Sequence, residues 1–238
     1  MWKNIWDKKG SNFSKNLTLK DLISIDGFDN SGKEVLNEKS WIEYVCYICN
    51  VVNINSKKSI LEIGCGSGAF LKVLEDIVDK NTKLYGFDYS SNLINIAKTV
   101  IKNCNFCCDE AINIDTIFNT SFDLIFCNSA FHYFNDKEYA YSVIKKSYSI
   151  LSKDGSLAFL DISDEAKMDI YYKVRFAEIG EEEYKKKYEG LNQLFFSKEE
   201  IFNILVKLGF EKIIIEDQNI SGYSNNQYRF NAFALKKI

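Results

Sequence analysis

Apolar positions follow two rhythms along this chain. Ser59-Ile60-Leu61-Glu62-Ile63 is a short apolar run that stops abruptly at glycine, the pattern of a buried parallel strand. From Ala69 onward the apolar residues take helical spacing instead, and helices are predicted over roughly 68–79, 90–102 and 136–151, with Ser90 placed to cap the second. Strands and helices alternate in this way from 58 to 162, at the spacing of a parallel sheet with right-handed crossovers. Upstream, residues 34–52 read as a helix whose Val35, Leu36, Trp41, Val45, Ile48, Val51 and Val52 share much of one face.

The remaining segments are less regular. Residues 1–40 are aromatic and lysine-rich: Trp2, Trp6 and Phe13 precede a polar stretch, and residues 26–32 are dense in turn chemistry. Residues 163–197 form an insertion, helical from Asp164 to Ile179. In it Ile170, Val174 and Ala177 lie on one side, with Tyr171, Tyr172 and Arg175 nearby. Glu181–Glu183 followed by Lys185–Lys187 supports a second, exposed helix through i,i+4 pairs. Ser197-Lys198-Glu199-Glu200 opens a last helix as a capping box and Gly209 closes it. Two strands follow, over 210–217 and 228–236.

Candidate chemistry concentrates at Gly64-Cys65-Gly66-Ser67-Gly68, on the turn between the first strand and its helix. Glycines so closely spaced let a ligand lie directly on the backbone, and the helix offers its unpaired N–H groups there. Gly64-x-Gly66-x-x-Ala69 also satisfies the loose dinucleotide-binding pattern, so a nicotinamide-dependent oxidoreductase is one reading of this loop.

The wider set of motifs points elsewhere. Glu62-Ile63-Gly64-Cys65-Gly66-Ser67-Gly68 resembles the first motif of class I S-adenosylmethionine-dependent methyltransferases. Leu84–Ser90, Cys107–Ala111 and Phe122–Asn128 resemble that family's second, third and fourth strands, and Leu151–Leu157 the turn into its fifth, with Asp154 where a proline is usual. The resemblance covers residues 58–162 in order and implies an α/β, Rossmann-like fold. Its seven-stranded, mostly parallel sheet would end in a C-terminal antiparallel hairpin and carry a helical cap. One domain over 1–238 is expected: an N-terminal helical lid (1–55), a cofactor-binding core (56–162), a helical substrate cap (163–197) and a C-terminal helix and strand pair (198–238). A leader helix packed against the sheet is the plain alternative to the lid.

In such a sheet ligands bind outside the carboxyl ends of the strands, which places Gly64, Asp88, Asp109, Asn128 and Asp161 along one rim. The resemblance implies Glu62, Gly64, Cys65, Gly66, Asp88, Tyr89, Asp109, Glu110 and Asn128 as the set that holds S-adenosyl-L-methionine, leaving S-adenosyl-L-homocysteine as product. Two carboxylate oxygens of Asp88 suit two ribose hydroxyls, while an N-cap role for the helix near Ser91 is the structural alternative. Asp109 is expected at the adenine, although a one-residue shift in register would exchange it with Glu110.

The one histidine, His132, follows the fourth strand and is the candidate general base; its bland reading is packing against the cofactor. Tyr133, Tyr172, Arg175, Tyr223, Asn226 and Arg229 are the candidate acceptor-binding residues. Arg229 reads equally as a surface strand-edge residue. No metal is expected, because Asp161 and Asn128 offer too few oxygen ligands. Cys46-x-x-Cys49 and Cys104-x-x-Cys107-Cys108 have zinc-like spacing but fall in a helix and a strand, where small buried hydrophobes are the default.

Composition narrows the setting. A net charge of −3 and the lack of a basic stripe with interleaved aromatics argue against a nucleic-acid partner. No apolar stretch is long enough to span a membrane, and the first residues lack a signal-peptide core, so a cytoplasmic, reducing location is expected for the seven cysteines. The leader 6–10 and the tail 228–231 are similar to enzymes that modify sugars of bacterial surface glycans. The expected acceptor is therefore a small polar molecule, a sugar or nucleotide-linked or phosphorylated sugar methylated on a hydroxyl. N-methylation of a small amine and a non-catalytic cofactor-binding module are the alternatives.

Overall fold

The computed structural model describes residues 2–9, 16–28 and 36–236. Phe13, the 29–32 part of the turn-rich stretch, Gly10 and Val35 lie outside the described residues. A seven-stranded sheet carries the fold, in the order β3-β2-β1-β4-β5-β7-β6. Its strands are β1 (Ser59–Ile63), β2 (Lys83–Asp88), β3 (Cys104–Cys108), β4 (Phe122–Asn128), β5 (Leu151–Ser163), β6 (Lys212–Asp217) and β7 (Arg229–Leu235). The first five are parallel, and β7 inserts antiparallel between β5 and β6. The strand order reverses between β1 and β4, so their carboxyl ends open a crevice at the switch point. This is the Rossmann-like architecture expected, hairpin included.

Both faces of the sheet are covered, which is why β1 and β4 are apolar at nearly every position. Ile60, Leu124 and Phe126 point into the layer formed by α3 (Glu38–Val51), α4 (Ala69–Ile77) and α5 (Ser91–Val100). Leu61, Ile63 and Ile125 point the other way, toward α7 (Lys137–Ser149) and α10 (Lys198–Lys207). The short α6 (Ile114–Ile117) completes that second layer. In α3 the buried positions Trp41, Val45 and Ile48 are those of the expected apolar face, and its N-cap Asn37 accepts from Ser40 N at 3.0 Å. Ser90 caps α5 by accepting from Leu93 N, and the capping box at Ser197 forms with Glu200.

Helix boundaries fall slightly inside the expected ones. Glu165–Lys167 form a 3₁₀ turn, capped by Asp164, before α8 (Met168–Ile179), and α9 (Glu181–Lys187) follows immediately after Gly180. In the N-terminal segment, α1 (Trp2–Lys9) rests against α5, and α2 (Leu19–Ile25), held by a Thr18–Asp21 capping box, rests against α4. Among the described residues, no helix is long and apolar enough to cross a membrane.

Candidate active site

The glycine turn after β1 bends through left-handed backbone at Gly64 (φ 65°) and Gly66 (φ 55°). Glycine is required there for space as well as for conformation. A Cβ on Gly64 would lie 2.8 Å from Ala130 Cβ, and one on Gly66 would collide with the carboxylate of Asp26. That carboxylate, at the end of α2, accepts from Ser67 N at 2.6 Å and from Ala69 N at 3.1 Å, so it occupies the N-terminus of α4. Ser67 Oγ adds a bond to Leu22 O of α2 at 3.3 Å. Burial pushes the Asp26 carboxyl up to about 7, against the pull of these donors.

Asp88, at the tip of β2, grips the same turn. Its Oδ2 accepts from Gly66 N at 3.1 Å and its Oδ1 from Ser90 N at 2.8 Å. Ser90, not Asp88, is the N-cap of α5, so the structural alternative for Asp88 is corrected: it ties two turns together and keeps lone pairs on both oxygens. Burial raises it to about 6. Glu62 is 2 % exposed with Oε2 unpartnered, and burial followed by repulsion from Asp26 and Asp88 raises it well above the usual carboxylate range. Asp109 follows β3 and accepts through Oδ1 from Glu110 N and Asn113 Nδ2, at 2.7 and 2.8 Å.

These groups converge on one cavity. Asp26, Glu62, Gly64, Cys65, Gly66, Asp88, Tyr89, Asp109 and Asn128 line it together with Ser129, Ala130 and Tyr133. Four carboxyl groups line it and, among the described residues, no basic side chain does. Trp6, Phe28 and Trp41 close it from the N-terminal side. An adjoining depression shares Tyr89, Ala111, Tyr133 and Phe134 with it and adds Trp2, Glu110, Tyr139, Asn135 and Asn192. Asp109 therefore faces the first hollow and Glu110 the second. The residues fit an adenosyl ligand bearing a cation. Glu62 has a buried oxygen with no donor, the Tyr89 hydroxyl is likewise unpartnered, and the glycines clear room at the backbone.

A second polar group lies behind the tips of β4 and β5. A bulge between Phe159 and Ile162 turns Asp161 to φ 57°, with its N–H bonded to Asn231 Oδ1 at 3.0 Å. The Asp161 carboxylate accepts from Ser129 Oγ at 2.7 Å, from Tyr223 OH at 2.9 Å and from Gln218 Nε2 at 3.4 Å. Tyr44 bridges this network to Asn128, donating to Asn128 Oδ1 at 3.4 Å. Arg229 starts β7 within the network, 4 % exposed, its Nε 3.8 Å from Asp161 Oδ1. The strand-edge reading of Arg229 is thus corrected: β7 lies inside the sheet, between β5 and β6.

His132 sits in the 3₁₀ turn Phe131–Tyr133, 1 % exposed, with Nδ1 unpartnered. Burial, and next the Arg229 guanidinium, hold its imidazole well below the ordinary value, so the ring is neutral. Its neighbour Tyr133, not His132, forms the cavity wall. The other candidate residues are spread more widely. Tyr223 belongs to the Asp161 network. Asn226 spends its amide on Ile220, accepting from the N–H at 2.8 Å and donating to the carbonyl, and so clamps its own loop. Arg175 bonds Glu178 and Asn225, and Tyr172 stacks on Phe176 in the cap.

Residue spacing gave no hint of Asp26; the only signal was the Asp26-Gly27 turn in the leader. The tryptophans beside it act in concert. Trp2 and Trp6 meet the ring of Tyr133 edge-on at 4.8 and 5.2 Å, and Trp2 Nε1 donates to Asn192 O at 2.8 Å. Asp7 accepts from the capping Ser90 Oγ at 2.6 Å, so α1 spans from α5 to the later part of the 163–197 segment.

Comparison with known proteins gives a consistent picture. Residues 54–225 match the family model described as a methyltransferase domain. Malonyl-[acyl-carrier protein] O-methyltransferase of Bacillus anthracis is 28% identical over 152 residues, 63% of this chain and 54% of that protein. The chain thus matches about half the length of that relative. Among solved structures, the plantazolicin methyltransferase BpumL, in complex with a pentazolic desmethylPZN analog and SAH, has a TM-score of 0.64 at 16% identity, covering 100% of this chain and 99% of that one. Magnesium protoporphyrin IX methyltransferase of Synechocystis PCC 6803, with bound SAH, has a TM-score of 0.58 at 13% identity, covering 98% of this chain and 93% of that one. At these identities the likeness concerns the fold.

Proposed function

The chain belongs to the methyltransferase-domain family, and from that premise we propose that it transfers a methyl group from S-adenosyl-L-methionine to an oxygen of a small polar acceptor. It is a class I S-adenosylmethionine-dependent methyltransferase, with S-adenosylmethionine as cofactor. The observation that carries the reading is the row of acids at successive strand tips around the glycine turn, with Glu62 Oε2 buried and unpartnered among them. Glu62, Gly64, Cys65 and Gly66 would hold the amino-acid end, Asp88 and Tyr89 the ribose, and Asp109 with Glu110 the adenine, while Asn128 borders the transfer site. The cofactor supplies a methyl group on a sulfonium, an electrophile whose leaving group is a neutral thioether.

The protein's part is chiefly positioning, for which effective molarities supply on the order of 7–11 kcal/mol. Residues 2–9 and 16–28 act as a lid that excludes water: Trp6 and Phe28 already wall the cavity, and Asp26 fastens the segment to the turn. His132, neutral, with Nδ1 unpartnered and set behind the Tyr133 wall, is the candidate base for an acceptor hydroxyl. A sugar or nucleotide-linked sugar is the acceptor favoured by the chain's ends, supported by the adjoining depression, where Trp2 and Tyr139 stand beside Asn135, Asn192 and Glu110. The B. anthracis relative, whose name gives an O-methyl transfer to a carrier-bound acyl group, favours oxygen over nitrogen. Seven cysteines without a disulfide suit a reducing, cytoplasmic setting.

Calorimetric titration with S-adenosylmethionine and with NADH tests the cofactor, and only the first is expected to bind. Labelled donor with a panel of nucleotide-linked sugars then tests the acceptor. Binding without transfer to any acceptor would favour a non-catalytic module.

A further inference from the structure

Among the described residues, the buried side-chain polar atoms without a hydrogen-bond partner are few and grouped. Glu62 Oε2 and the Tyr89 hydroxyl belong to the cofactor cavity, and Ser59 Oγ lies at the far end of β1. The others are His132 Nδ1, Arg229 Nε and Arg229 Nη1. Leaving a buried charged donor unbonded is costly, and such groups commonly face a ligand.

The imbalance lies in the pair Asp161–Arg229. Three side-chain donors, from Ser129, Tyr223 and Gln218, satisfy the Asp161 carboxylate without help from the arginine. Arg229 has a 3.8 Å ion pair, too long for a hydrogen bond, and the face of Tyr171 with its centroid 6.0 Å away. A cation is therefore held in place by neighbours that leave its Nε and Nη1 donors unused. Arg229 does not line the cofactor cavity, whereas Ser129 and Tyr133 do.

We propose that Arg229 is the anchor for a carboxylate on the acceptor, so that the enzyme selects acidic acceptors. This rests on the methyltransferase reading above and names the substrate class for it. A carboxylate matches the subsite better than a phosphate does. A phosphate carries close to two charges, while Arg175, the only other arginine, is engaged by Glu178 and Asn225.

The test uses the full chain saturated with S-adenosylhomocysteine. Benzoate, hexanoate and glucuronate are titrated calorimetrically against benzamide, hexanamide and glucuronamide, with phenyl phosphate as a further arm. At least one acid is expected to bind about tenfold more tightly than its own amide, the scale of a charge-assisted hydrogen bond. Arg229→Met is expected to abolish that preference while S-adenosylhomocysteine still binds, and Arg229→Lys to retain part of it. If the methionine variant does not fold, the acid-to-amide ratio of the native chain and of the lysine variant decides. Equal binding of every acid and its amide, no binding of any acid, tighter binding of phenyl phosphate, or a preference that survives loss of the guanidinium each overturns the proposal. Failure of S-adenosylhomocysteine itself to bind would instead remove the methyltransferase reading, and this proposal with it.

Discussion

Asp26 Oδ1 lies 2.6 Å from the amide nitrogen of Ser67, joining the N-terminal segment to the cofactor turn. The burial of that carboxyl ties stability to pH. Its folded-state value of about 7 lies above the 3.8 of an ordinary aspartate, so the folded chain holds a proton that the unfolded chain has released. This contribution to stability is fully present below about pH 4 and is lost as pH rises toward 7, each pH unit in that window costing about 1.4 kcal/mol. Asp88, raised to about 6, adds to the decline with the same sign. Urea midpoints for Asp26→Asn are expected to fall less steeply between pH 4.5 and 7.5 than those of the native chain. Parallel curves would refute the assignment.

Gly66→Ala meets two obstacles at once. The backbone is left-handed, at φ 55°, and the new methyl collides with the Asp26 carboxylate. A cost of about 1–3 kcal/mol is expected. Thermal unfolding will show it, and S-adenosylmethionine binding is expected to weaken in the same variant. Pairing it with Asp26→Gly is expected to recover part of the stability by removing the obstructing carboxylate.

Asp88→Asn keeps one carbonyl oxygen near Gly66 but discards the negative charge. Hydrogen bonds to charged groups are worth about 1.5–3 kcal/mol, so affinity for S-adenosylmethionine is expected to drop roughly 10- to 150-fold. Asp109, whose two donors both fall on Oδ1, is expected to lose affinity on the same change as well. Equilibrium dialysis of both variants checks this.

The His132 imidazole is held far below its ordinary value, so the ring is free to accept a proton across the neutral range. The rate of methyl transfer is therefore expected to lack a titration near pH 6.5 and to fall only in more acidic solution. His132→Asn is expected to lower kcat by about 10²- to 10⁴-fold if the acceptor is a hydroxyl. A pH–rate profile unaltered by this substitution would assign the ring to packing alone.

The placement of two acids could be read from the sequence because Asp88 ends, and Asp109 directly follows, a parallel strand. Asp88 and Asp109 occupy the positions that strand pattern and topology assign to them. Asp26 was invisible for the opposite reason. Its partners Ser67 and Ala69 lie more than forty residues away, and no local periodicity encodes that meeting. Asp161 was placed on the rim, but its inward turn depends on a bulge fixed by Asn231, from a strand seventy residues further along. Asn226 and Arg175 illustrate the limit of residue type as a guide. Both carry binding chemistry, and both use it on their own neighbours.

The four carboxyl groups that line the proposed cofactor cavity bear on turnover. The donor enters with a positively charged sulfur, and the product left behind has lost that charge, so each reaction erases the feature that the carboxyl groups of Asp26, Glu62 and Asp88 favour. Under the proposed methyl transfer, chemistry would thereby loosen the chain's hold on its own by-product. Since ionisation of the same acids is what attracts the donor, exchange of spent for fresh cofactor should become more complete as the solution turns alkaline.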